Sequence, residues 1–231
     1  MKNNINQLIL TFAVTMIFTA TQANAAVILI DDFASGVPLS TFGTTSAVDD
    51  GPHAGVLGGS RDTVLTALVG GLNLFYSPVI GNTIAFVGLS GSTGFYSSRY
   101  DGPGLGGDLG LDLLGIAAGG NFSLGIVEAN GNGVVFVNVL DGNGDTFSVS
   151  NNIANGFTGV LDFDYADYLG AGVDLSDIQA ITLVVGNTGV ADDFTIGLFT
   201  ATQVVPEPAS LSLLALGALA MMRRRNRQRA A

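Results

Sequence analysis

The chain has 231 residues, 19 of them acidic against eight basic, and no cysteine. A net charge of −11 repels phosphate backbones and anionic headgroups, which excludes nucleic acid as a partner. Without thiols, and with His53 as the single histidine, disulfide staples, Cys–His dyads and zinc sites built on several Cys or His ligands are excluded as well.

The opening stretch "MKNNINQLILTFAVTMIFTATQANAA" sets Lys2 and the α-amino group ahead of an apolar run from Leu8 to Phe18. Ala23-Asn24-Ala25 fits the small-x-small cleavage pattern, which predicts a secretory signal peptide over residues 1–25 and export of the domain behind it. Residues 26–203 are long enough for one domain with its own core. From Ala26 to Val205, 18 acidic residues (the chain's 19 less Glu207) face only Arg61 and Arg99, a balance of −16. Such a surface attracts cations.

Within that domain the apolar segments are short and β-rich, and Gly, Asn and Asp punctuate them. "AVILIDDFA", "NLFYS", "TIAFVGL", "NFSLGIVEA", "GVVFVNVL", "DTFSVS", "FTGVLDFDY", "QAITLVVG" and "DDFTIGLFTAT" read as strands in chain order. "VVFVNVL" alternates imperfectly, as a strand covered on both sides does. In "DTFSVS", Phe147 and Val149 share one face and Thr146, Ser148 and Ser150 the other. "VLDGNGDTFSV" is a hairpin signature, and "GVDLSDIQAI" suggests one helical turn capped by Asp174 or Ser176. Glycine, at 33 residues, is about twice its usual ~7% share and signals many tight turns. Nine to eleven short strands predict an all-β fold, a single antiparallel β-sandwich of jelly-roll type.

Candidate chemistry is sparse. Asp31, Asp32, Asp192 and Asp193 form a cation site if the terminal strands are neighbours, with at most one of each pair pointing into it. Asp141-Gly142-Asn143-Gly144-Asp145 puts oxygen side chains at positions 1, 3 and 5, as a calcium loop does. Thr146 and Asn152 stand where an EF-hand needs Gly and Glu, so at most Asp141 and Asp145 hold an ion within the hairpin loop. A structural calcium is thus the one cofactor the sequence offers. Asp162 and Asp164 lie on one face of a strand, about 7 Å apart, near glycosidase spacing, but that chemistry needs one of them desolvated. Tyr165, Tyr168 and "FYSSRYD" (Phe95 to Asp101) are candidates for stacking on sugar rings. Gly102, Gly104 and Gly107 match G-x-G-x-x-G, but Pro103 sits inside the match and no helix follows. "GLSGS" at Gly88 to Ser92 lacks the last glycine of a nucleophile elbow, and a serine triad would have to draw on His53 in its turn-like stretch.

The chain closes on "VVPEPASLSLLALGALAMMRRRNRQRAA". The uncharged run from Ala209 to Met222 reaches about 21 Å as a helix, short of the ~30 Å hydrocarbon core, a deficit that snorkelling and local thinning absorb. Arg223, Arg224, Arg225, Arg227 and Arg229 follow it and hold the cytoplasmic side, leaving everything upstream outside. Val205, Pro206, Glu207 and Pro208, the short apolar helix and the terminal arginines resemble the PEP-CTERM sorting signal over 204–231. That resemblance implies an exosortase as partner and processing enzyme, a transient inner-membrane anchor, and a role at the cell surface or in extracellular matrix and biofilm. "ILIDDFASG" and "ADDFTIGLF" resemble the first and last strands of galactose-binding-like jelly rolls, whose terminal strands pair and can hold a structural calcium. The leading expectation is an exported, non-enzymatic surface or matrix protein associated with extracellular polysaccharide. The alternative is a carbohydrate-binding module without catalysis, and a secreted hydrolase is third.

Overall fold

The computed structural model describes residues 24–43, 45–77, 82–89, 91–102, 108–113, 119–187 and 192–205. The signal peptide up to residue 23, the expected membrane helix and the arginines lie outside them. Among the described residues no helix is long and apolar enough to cross a membrane.

The strands are β1 (Asn24–Asp31), β2 (Leu39–Phe42), β3 (Ser46–Pro52), β4 (Ser60–Val69), β5 (Gly71–Ser77), β6 (Thr83–Gly88) and β7 (Thr93–Tyr100). They continue with β8 (Asn121–Asn130), β9 (Gly133–Asp141), β10 (Thr146–Ile153), β11 (Gly159–Asp164), β12 (Ile178–Asn187) and β13 (Asp193–Val205). One six-residue helix, α1 (Tyr165–Gly170), follows β11. Two antiparallel sheets form the expected sandwich. The first runs β11-β8-β13-β6-β5-β2, with β1 also on β13; the second runs β10-β9-β12-β7-β4-β3.

Period-two burial explains the layering. In β8, Phe122, Leu124 and Ile126 are buried, while Ser123, Gly125 and Val127 face out. β7 and β12 alternate in the same way across the other sheet. The sheets meet where Tyr100 of β7 lies 6.0 Å from Phe199 of β13; on the first sheet's side of the core Phe122 packs on Phe199 at 6.3 Å and on Tyr165 and Tyr168 of α1 at 5.1 and 5.5 Å. These buried edge-to-face and tilted pairs contribute beyond their area.

Three local expectations change. β9 is not covered on both sides: Val135, Val137 and Val139 point inward, while Phe136 and Asn138 look outward. The helical turn is α1 rather than a turn at Asp174, whose Oδ1 instead accepts the Ser176 amide at 2.9 Å and hydroxyl at 2.6 Å in an Asx turn. The tyrosines proposed to stack on sugars are core residues: Tyr96, Tyr100, Tyr165 and Tyr168 are fully buried. Tyr168 spends its hydroxyl on the Val137 carbonyl at 2.8 Å.

Candidate functional site

The terminal strands are neighbours, as their sequences suggest, but their register separates the aspartate pairs. β1 runs antiparallel to the second half of β13, from Asn24 opposite Val205 to Asp31 opposite Phe199. Asp193 stands at the other end of β13, opposite Val87 of β6 and Asn130 of β8. Six residues of extended chain put the two pairs roughly 20 Å apart. Asp31, Asp32, Asp192 and Asp193 therefore do not converge on one ion.

Asp31 has found a different cation. It is fully buried, and so is Arg61, whose Nη1 donates to Asp31 Oδ2 at 2.5 Å. The Tyr100 hydroxyl donates to the same oxygen at 2.9 Å, and the Phe33 amide donates to Oδ1 at 2.7 Å. That turn holds Phe33 in a left-handed conformation (φ 52°), with its ring 5.8 Å from the guanidinium. Arg61 Nη2 donates to the Ser35 carbonyl at 2.5 Å and so ties β4 to the loop after β1. Burial pushes the Asp31 carboxyl above its ordinary value, against the downward pull of Arg61. Burial, and then the Asp31 charge, push the Tyr100 phenol well up. Asp32 closes the next turn by accepting the Ala34 amide at 2.9 Å.

At the far end of β13, Asp193 Oδ1 accepts the Gly88 amide at 3.0 Å. Burial raises its pKa; the Gly88 bond opposes this, while the Asp192 and Glu128 charges add to it. Asp192 is buried, and its carboxylate fills the place of a Cβ on Gly131, which sits at φ +131°. Only glycine fits there.

The β9–β10 hairpin is as expected, but its first aspartate serves the backbone. Asp141 is buried; its Oδ1 accepts the amides of Asn143 and Asp145, each at 2.9 Å, and its Oδ2 accepts the Asp174 amide at 2.8 Å. Burial raises its pKa, but amide bonds from Asp174, Asp145, Asn143 and Gly144 outweigh this and hold the carboxyl below its ordinary value. Asp145 is exposed beside it. Among the described residues no group of three or more His, Cys, Asp or Glu is placed to hold a metal ion.

The outer face of the first sheet carries a groove. β13 exchanges β6 for β1 as its neighbour around Gly197 and Leu198, and its register on β8 shifts between Ile196 and Phe199. Gly125 and Gly197 add no side chains there. The result is a shallow groove of about 490 Å³ walled by Val127, Val160, Leu198 and Thr200. Ser123, which lines it, donates its hydroxyl to Asp162 Oδ1 at 2.6 Å, and Asn121 Nδ2 donates to the same oxygen at 2.6 Å. Asp162 and Asp164 share a face, as expected, but both are exposed. The desolvation that would raise one of them into a general acid is missing.

The architecture defines an all-β antiparallel sandwich, and its last strand runs directly into a targeting element. Residues 204–227 match the PEP-CTERM protein-sorting motif, the signal of an exported, exosortase-sorted protein. No curated protein matches the chain. Solved structures with a similar fold include a family 11 carbohydrate-binding module from Clostridium thermocellum in complex with a β-1,3-1,4-mixed-linked tetrasaccharide. It is 11% identical with a TM-score of 0.39, over 78% of this chain and 98% of that one. A family 29 carbohydrate-binding module complexed with cellulohexaose is 14% identical, with a TM-score of 0.38 over 80% and 95% of the two chains. An agarase is similar over 56% of this chain and 22% of its own, at 14% identity and a TM-score of 0.38.

Proposed function

We propose that the chain is a non-enzymatic surface or extracellular-matrix protein. Its acidic sandwich is exported behind the signal peptide, held briefly at the inner membrane by its tail, and released by exosortase processing. The observation that carries this is the sorting motif at 204–227, which begins where β13 ends at Val205. The arginines then act as stop-transfer charges on a disposable tail. Mass spectrometry of surface material should find no peptide from Leu213 to Met222. Replacing Arg223, Arg224, Arg225, Arg227 and Arg229 with glutamine should impair retention and processing. Full-length protein in the matrix with its tail attached would refute the proposal.

A second reading, glycan binding without catalysis, is favoured by the groove at Gly125 and Gly197. Its glycine floor lets a sugar ring approach the backbone, and Ser123 and Thr200 offer hydrogen-bond partners, with Asp162 bonded to Ser123 behind them. Among its lining residues there is no aromatic platform, so hydrogen bonds would carry most of the affinity. Pull-down on a glycan panel, with Ser123→Ala plus Asp162→Ala as the control, tests it; equal retention of both proteins would refute it.

A further inference from the structure

The first sheet ends in a two-stranded ribbon. β8 accompanies β13 only as far as Ala201, and the last link on that edge is the Asn121 amide donating to the Thr202 hydroxyl at 2.8 Å. Among the described strands only β1 lies beside the last three residues of β13: Ala26 stands opposite Gln203, Ala25 opposite Val204 and Asn24 opposite Val205. The next residue is Pro206, inside the matched sorting motif, so no spacer separates the ladder from the signal.

Asn24 and Ala25 belong to the signal peptide by their sequence. Hydrolysis of the Ala25–Ala26 bond consumes one water, leaves a carboxylate on Ala25 and an ammonium on Ala26, and carries away the two residues that cover Val204 and Val205. Among the described strands none pairs with the other edge of Gln203–Val205. The cut removes the β1 partner and lets Val204 and Val205 leave the sheet. Peptidases commonly take their substrates as single extended strands, and a strand still zipped to a neighbour does not fit between the walls of a cleft.

We propose that signal-peptide hydrolysis uncovers the sorting signal, so that it precedes tail processing and is required for it. The inference rests on the export and sorting proposal above. It makes the folded N-terminal strand part of the processing substrate: the first two residues of the matched motif, Val204 and Val205, change from paired to free in a single step.

The test uses the full chain in a host with the sorting machinery, followed by pulse-chase and mass spectrometry of both ends. Three proteins are compared: wild type, Ala25→Phe to block the signal-peptide cut, and Ala25→Phe with six Gly/Ser residues inserted between Gln203 and Val204, which leaves the matched motif whole. Wild type should lose both ends. Ala25→Phe should keep its signal peptide and lose its tail at least about tenfold more slowly, the scale set by two ladder residues that must open first. The insertion separates motif from ladder and should restore tail removal with the signal peptide still attached. The same insertion in the wild-type background should be processed at the wild-type rate, which shows that it does not disturb folding. Tail loss from Ala25→Phe at the wild-type rate would overturn the order proposed, and failure of the insertion to restore it would overturn strand pairing as the cause. If wild type itself keeps its tail, the sorting proposal fails and this inference falls with it.

Discussion

Arg61→Met is the sharpest probe of what holds the sandwich together. The substitution removes the guanidinium and leaves the buried Asp31 carboxylate with two neutral donors, the Phe33 amide and the Tyr100 hydroxyl. Removing one partner of a buried pair costs about 3–5 kcal/mol, a large part of a typical total of about 5–15 kcal/mol. For a domain of about 180 residues that is a fall in Tm of roughly 10–15 °C. The double variant Asp31→Leu/Arg61→Met removes both charges and should recover most of the loss. The pH dependence has a definite sign. Burial already raises the Asp31 pKa, and without Arg61 it rises further, so the folded variant binds a proton more readily than the unfolded chain. Its stability therefore falls as pH rises, and its deficit against wild type should shrink on going from pH 7 toward pH 5. Thermal melts of residues 26–205 by circular dichroism at the two pH values measure this. A Tm within about 3 °C of wild type at pH 7, or a deficit that grows on acidification, would refute the role assigned to the pair.

Asp141→Asn should lower Tm by roughly 5 °C, since the carboxylate that gathers the amides of Asn143, Asp145 and Asp174 loses its charge. Because its folded pKa is depressed, Asp141 stabilises above the ordinary carboxylate range and that stability is lost as pH falls through the lowered value; melts between pH 5 and pH 3 should show this slope in wild type and not in the variant. Tyr168→Phe should cost about 1 kcal/mol in denaturant unfolding, the value of its buried bond to Val137. Sodium chloride should raise Tm by screening the acidic surface, and calcium at constant ionic strength should raise it no more than magnesium does. A calcium-specific shift would show that the aspartates reach an arrangement other than the one described.

Nine of the strands among the described residues are visible in the sequence because their inward faces are apolar; four are not, and the reason is the same for the two longest of these. β4 turns Arg61, Thr63, Leu65 and Ala67 inward, and β7 turns Gly94, Tyr96, Ser98 and Tyr100 inward. Their buried faces are partly polar, joined by the Thr63–Ser98 contact at 3.0 Å and the Ser98 hydroxyl donating to the Tyr96 hydroxyl at 2.7 Å. A hydrophobic alternation is therefore missing where the strand is most buried. β2 and β3 are short or carry too few apolar residues to signal at all. Glycine misleads in the same way. Turns do use it, but Gly125 and Gly197 lie inside strands and shape the groove, which nothing in a turn-based reading of the composition reveals. The sorting signal was legible because it is contiguous. The cation site was not, because it depends on the register between two distant strands: "IDDF" and "ADDF" look paired until the antiparallel ladder places Asp31 beside Phe199.

The scarcity of basic residues acquires a meaning once their partners are known. Between residues 26 and 205 the chain has only Arg61 and Arg99, and each is paired with an aspartate: Arg61 with Asp31 in the core, Arg99 with Asp101 at 2.8 Å. Arg61 is sealed in the core, which leaves Arg99, 42% exposed beside Asp101, against 18 acidic residues. An acidic polysaccharide is therefore repelled by this surface unless divalent cations bridge the two, whereas a neutral glycan meets no such barrier in a groove of glycine, aliphatic and hydroxyl groups. The same charge opposes the approach of a second copy to the exposed Val127, Val160 and Leu198. Arg61 thus holds its charge inside the fold, five of the chain's eight basic residues stand at 223–229, and the surface of residues 26–205 carries almost no positive charge.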